Sequence, residues 1–136
     1  MSAPAKPVRL AGYAALFNIA DGARDTILPG AFARSLAARD GPLPLLWQHR
    51  PHRRIGVVEL AEEDARGLRV IARIDNPDDF AAAQLRARTA NGLSFGYRAR
   101  AWRRLPRGRI LEAVELVEVS LVTHPLQPDA RVHLVS

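Results

Sequence analysis

Two long stretches of alternating apolar and polar residues, 93–105 (LSFGYRARAWRRL) and 109–123 (RILEAVELVEVSLVT), are separated only by Pro106-Arg107-Gly108. Alternation of this kind predicts β-strands. A three-residue connection forces the two to lie side by side and antiparallel. Alternation gives such a hairpin one apolar face to cover, so other elements must pack against it. Residues 8–17 (VRLAGYAALF) predict a first strand with a bulge at Gly12, residues 43–48 (LPLLWQ) a short strand running into His49, and residues 131–135 a short last strand. Residues 55–60 and 67–74 read as another hairpin, joined by the acidic segment 61–66 (AEEDAR).

Helical signals are fewer. Phe32 and Leu36 share a face in residues 31–39 (AFARSLAAR), and Gly41-Pro42 ends that helix. The segment 75–79 (DNPDD) supplies a cap, a proline and an acidic first turn for a second helix through about residue 90, with Gly92 as its stop. Residues 18–30 and 125–129 are rich in turn formers and read as loops. The expected fold is mainly β, an antiparallel, closed or nearly closed barrel of six to seven strands with peripheral helices. With 136 residues there is room for one domain, residues 8–136, behind a flexible lead-in at residues 1–7.

Composition narrows the chemistry. The chain has no cysteine, which excludes thiolate nucleophiles, disulfides and cysteine metal sites and suits a reducing cytoplasm. No apolar run reaches membrane-spanning length and no secretory leader is evident, so a soluble, intracellular protein is expected. The formal charge of +6 comes almost entirely from arginine, densest over residues 98–109. No nucleic-acid-binding motif accompanies it, so solvated surface charge is the preferred reading and nucleic acid is not the expected partner. A basic barrel that binds nucleic acid or an acidic scaffold protein without catalysis is the alternative.

Three residues carry reactive potential. Ser94 lies between Gly92 and Gly96 on a strand, where missing side chains leave space for an incoming carbonyl. A tight barrel strand would use small residues for the same steric reason. His49 ends an apolar strand, where an imidazole can sit at a rim and move a proton. Glu118 shares a strand face with Ser120 among valines, and its carboxylate calls for a partner, either a histidine or an arginine such as Arg98 or Arg100. His49 and His52 form H-x-x-H without a third ligand, so no metal or cofactor is expected. A hydroxyl, an imidazole and a carboxylate are the groups of nucleophilic acyl transfer.

The segments GYAALFN, ILPGAFARSL, PLLWQH, GLSFGY and LVEVSLVTHP with a following PDA, in that order, resemble the prohead maturation serine proteases of tailed phages, prophages and gene transfer agents. The resemblance covers about residues 10–134 and implies a fold like that of the herpesvirus assembly proteases. It implies a serine endopeptidase that processes the major capsid protein or scaffold inside the immature capsid in the host cytoplasm, in some relatives cutting itself. By position, His49 matches the family histidine and Ser94 the family serine. Glu118 is the favoured third member and His124 the alternative. The loop that bears an oxyanion-binding arginine in herpesvirus proteases has none here; Arg131 is the nearest substitute. A homodimer follows only by analogy with those proteases.

Overall fold

The structure is a computed structural model that describes residues 6–136. The flexible lead-in expected at residues 1–7 thus falls mostly outside the described residues. Eight strands and two short helices follow in the order β1 (Val8–Leu16), β2 (Asp25–Ile27), α1 (Ala33–Ala38), β3 (Leu43–Trp47), β4 (Arg54–Glu63), β5 (Gly67–Ile74), α2 (Phe80–Arg86), β6 (Gly92–Leu105), β7 (Gly108–Val122) and β8 (Val132–Val135).

The strands curl into one sheet in which β6 pairs β7, and the path continues through β3, β4, β5, β1 and β8. A bridge between Gly92 and Arg131 then ties the β8 end back to β6. It is reinforced by Leu93 N–H to the Ala130 carbonyl and Val132 N–H to the Asn91 carbonyl, both 2.8 Å. The curl is therefore nearly closed. Alternation selects the inner face: Leu68, Val70, Ala72 and Ile74 of β5 are all fully buried. Each large aliphatic side chain removed from water in this way contributes roughly 1.5–3 kcal/mol. The outward-pointing Arg69 and Arg73 pair with Glu62, Glu59 and Asp75.

Three expectations need correction. The sheet is mixed, because β2 and β3 both run parallel to β7. β7 is 15 residues long, and its edge away from β6 is shared by β2 at one end and β3 at the other. The chain between them lines the gap, where Val114 N–H bonds the Ala31 carbonyl and Leu116 N–H bonds Ser35 Oγ. β2 itself arises in a segment whose composition reads as loop. The second helix also stops earlier than expected. Asp79 caps it by accepting from Ala81 N–H at 2.8 Å, but Arg88 turns left-handed (φ 59°) and ends it, so Gly92 opens β6 instead. The expected bulge in β1 is present as register shifts at Ala11/Gly12 against β8 and at Tyr13/Ala15 against β5.

The loop after β7 is anchored by the buried Gln127. Its Oε1 accepts from Leu16 N–H at 2.8 Å, and its Nε2 donates to the carbonyls of Leu16 (2.9 Å) and Ile19 (3.1 Å). Replacing it with alanine orphans backbone groups at the end of β1. Gln127→Ala is expected to cost about 1–3 kcal/mol, read as a lower urea midpoint with an unchanged m-value.

Candidate active site

β6, β7 and β3 lie side by side, and their register places the polar side chains together. Ser94 on β6 is directly opposite Ser120 on β7, which in turn is opposite Leu46 on β3. One step along, Gly96 is opposite Glu118. The alternate positions Leu93, Val119 and Leu121 are fully buried in the core. Ser94, Gly96, Glu118 and Ser120 therefore share the outer face.

His49 reaches this face through a turn. After Trp47, both Gln48 (φ 54°) and His49 (φ 59°) adopt the left-handed conformation. For non-glycine residues this costs of order 1–3 kcal/mol each, so neighbouring contacts must hold it. Gln48 N–H donates to the Leu121 carbonyl at 3.0 Å. Its side-chain amide exchanges two hydrogen bonds with Thr123, Nε2 to Oγ1 at 3.1 Å and Thr123 N–H to Oε1 at 3.2 Å. Arg50 N–H to the Trp47 carbonyl and Trp47 N–H to the Arg53 carbonyl close the turn. His49 is thereby folded back over β7.

There its backbone N–H donates to Ser120 Oγ at 3.1 Å, and its Nδ1 lies 2.5 Å from Glu118 Oε1. Ser120 Oγ donates to the other carboxylate oxygen, Oε2, at 2.7 Å. Glu118 is thus held at both oxygens. A neutral imidazole that donates from Nδ1 to the carboxylate keeps the lone pair of Nε2. Nε2 and Ser94 Oγ make no hydrogen bond among the described residues. The imidazole is 41% exposed while the Glu118 side chain is 10% exposed. An open groove of about 480 Å³ runs beside them, lined by Pro44, Leu46, His49, Gly96, Val117 and Glu118.

Gly96 is required by this packing. A Cβ there would lie 2.5 Å from Glu118 Oε1 and 2.9 Å from its Cγ. The glycine gives the carboxylate its place directly across the ladder. Other sequence candidates lie apart from the cluster. His124 is exposed beyond the end of β7, and His52 is exposed in the turn after β3. Arg131 donates from its guanidinium to the Pro128 carbonyl (2.6 Å) and Asn91 Oδ1 (2.8 Å). Arg98 and Arg100 pair with Glu115, leaving Glu118 to the histidine. The parts that sequence reasoning missed are Gln48, Thr123 and the bridging role of Ser120. Their signal was slight: polar residues at the ends of apolar strands.

Next to the cluster, Asp25 is buried and receives both Arg109 Nε (3.0 Å) and Nη2 (2.9 Å), with Tyr97 OH donating at 3.1 Å. The Arg109 hydrogen bonds hold the Asp25 carboxyl below its ordinary range, against the opposing effect of burial. Burial foremost, then the Asp25 charge, push the Tyr97 phenol up to about 12.

The solved structure of KSHV protease with a hexapeptide phosphonate inhibitor superposes with a TM-score of 0.64 at 15% identity, over 96% of this chain and 65% of that one. Varicella-zoster virus protease gives 0.63 at 18% identity, over 96% and 64%. The fold is therefore that of the herpesvirus proteases. The profile of the caudovirus prohead serine protease family matches residues 2–136, and the chain belongs to that family. The prohead protease of Enterobacteria phage HK97 is 32% identical over 127 residues, 88% of this chain and 56% of the phage protein. The chain spans little more than half the length of that curated relative.

Two measurements probe the arrangement. Gly96→Ala should displace Glu118 and abolish the low-field proton resonance that the His49–Glu118 hydrogen bond is expected to give by NMR, while the fold survives. Retention of that resonance would contradict the steric argument. The Tyr97 phenol, protonated more tightly in the folded state, stabilises the fold fully below its unfolded pKa near 10. That contribution is lost as pH rises through about 12. Wild type should therefore lose more stability than Tyr97→Phe across that alkaline window, as followed by circular dichroism.

Proposed function

We propose that the chain is a serine endopeptidase of prohead maturation, with Ser94 as nucleophile, His49 as general base and acid, and Glu118 as the group that orients His49. The observation that carries this reading is the 2.5 Å contact of His49 Nδ1 with Glu118, on the strand face that also bears Ser94. Ser94 Oγ attacks the scissile carbonyl carbon as its proton passes to His49 Nε2. The C–N bond then breaks as His49 returns that proton to the leaving amine. Water attacks the resulting ester, giving a proton to His49, and Ser94 is released with the acid product. Throughout, Glu118 holds the productive tautomer and stabilises the imidazolium. Ser120, bonded to both Glu118 and His49, fixes their relative placement. Backbone amides are the expected oxyanion donors, because the Arg131 guanidinium is already bonded to Pro128 and Asn91.

The substrates that suit this family are the major capsid protein and scaffold, cut inside the immature capsid in the host cytoplasm, with self-cleavage and homodimerisation as further traits. The test is co-expression with the cognate capsid protein and mass spectrometry of the products. Ser94→Ala and His49→Ala should each lose on the order of a millionfold in turnover while folding normally. Glu118→Gln should lose roughly ten-thousandfold and keep detectable cleavage. Undiminished processing by Ser94→Ala would overturn the assignment.

A further inference from the structure

The far end of the β6–β7 ribbon is flanked by β2 along its β7 edge, and on its β6 side every residue from Arg100 to Arg107 is exposed. Its arginines divide into two groups. Arg98 and Arg100 share Glu115, Arg103 pairs with Glu112, and Arg109 pairs with Asp25. Arg104 and Arg107 have no carboxylate partner among the described residues, and neither does Arg24. The Arg24 carbonyl accepts from Arg109 N–H at 3.1 Å, so its backbone packs against the ribbon's tip. In the ladder Arg104 stands directly opposite Arg109. Asp25 neutralises Arg109 there, which leaves Arg104 as the uncompensated charge of that cross-strand pair. The same stretch exposes two large apolar side chains, Trp102 (49% exposed) and Leu105 (40% exposed).

From this juxtaposition we propose that the ribbon tip is a docking surface for a protein segment in which carboxylates alternate with aliphatic side chains. Charge complementarity gives the acidic part, since Arg24, Arg104 and Arg107 offer three unpaired guanidinium groups, and guanidinium forks suit carboxylates. The rest of the ribbon shows the same chemistry internally, with Glu112 and Glu115 seated against Arg98, Arg100 and Arg103. The apolar part follows from Leu105, which offers aliphatic contact and no stacking face. A nucleic-acid strand is disfavoured because one face of the Trp102 indole is taken by the Arg109 guanidinium, 6.0 Å from the ring centroid, and Arg109 is fixed by Asp25. The surface is separate from the His49–Glu118 groove, so it stands whether or not the chain is a protease.

The test uses the full chain carrying Ser94→Ala, so that no probe is cleaved. A fluorescein-labelled peptide of alternating glutamate and leucine and a labelled oligothymidylate are titrated by anisotropy at low and physiological salt. The peptide should bind, quench or shift Trp102 fluorescence, and weaken with salt. R104E/R107E should bind it at least about tenfold more weakly. Should that variant misfold, R104Q/R107Q should show a smaller loss in the same direction, and L105A a loss of a few-fold. Tighter binding of oligothymidylate than of peptide would make this a nucleic-acid surface and overturn the proposal. Peptide affinity that is absent, or indifferent to these substitutions, would do the same.

Discussion

β7 is the strand on which the molecule depends. It is longer than any single neighbour on its β3 side, so β2, the chain ahead of α1, and β3 must share that edge in succession. β6 covers the other edge along its whole length. This arrangement fixes the direction of β3 and delivers its carboxyl end beside Ser120 and Leu121. The place where His49 enters the outer face is thus a consequence of how β7 is flanked. A parallel β3 is needed for it; an antiparallel strand in the same slot would present its amino end there.

The site combines an inexpensive part with a strained one. Ser94, Gly96, Glu118 and Ser120 sit on two antiparallel strands at positions that the pleat places on one face, at no conformational cost. His49 needs two successive left-handed residues. The offsetting contacts are specific: the Gln48 amide paired with Thr123, the Gln48 N–H on Leu121, and the His49 N–H on Ser120. Each satisfies a backbone or side-chain group that the turn would otherwise leave unpaired near the protein surface. Glu118 would be costly to bury alone. It is tolerable because both oxygens are hydrogen-bonded and its imidazole partner is partly in water.

Much of this was legible in the chain. Alternation gave β1, β5 and the long hairpin nearly to the residue, because a half-buried strand writes its period directly into the sequence. The segment 75–79 announced α2, since helix starts are signalled locally, although Asp79 is its cap and not part of an acidic first turn. β2 was not legible: three residues in an Asp- and Gly-rich segment acquire strand geometry only because β7 offers an open edge. The end of α2 was missed for a related reason. Arg88, not a glycine, takes the left-handed position, and Ala90 beyond it is fully buried, so tertiary packing overrode the preferred residue type. Pairing among charges was equally unreadable. Glu115 and Glu118 are three apart in one strand, and the register shift between them, where Val117 has no partner on β6, sets which of them meets arginine and which meets histidine.

Irregular pairing explains how one hairpin can present two unlike surfaces. Register shifts fall at Gly96/Tyr97, Ala99/Ala101 and Ala101/Trp102. Each changes which face the following residues occupy and adds twist. Before the first shift, the outer face carries Ser94 and Gly96 against Ser120 and Glu118; beyond the last, the ribbon carries arginine and tryptophan into solvent. A regular ladder would continue a single face from site to tip, so that the constraints on the spacing of the polar cluster and on tip chemistry would act on the same row. The irregular pairing uncouples them. The barrel end can stay fixed by its buried polar contacts while the far end is free to vary in charge and apolar content.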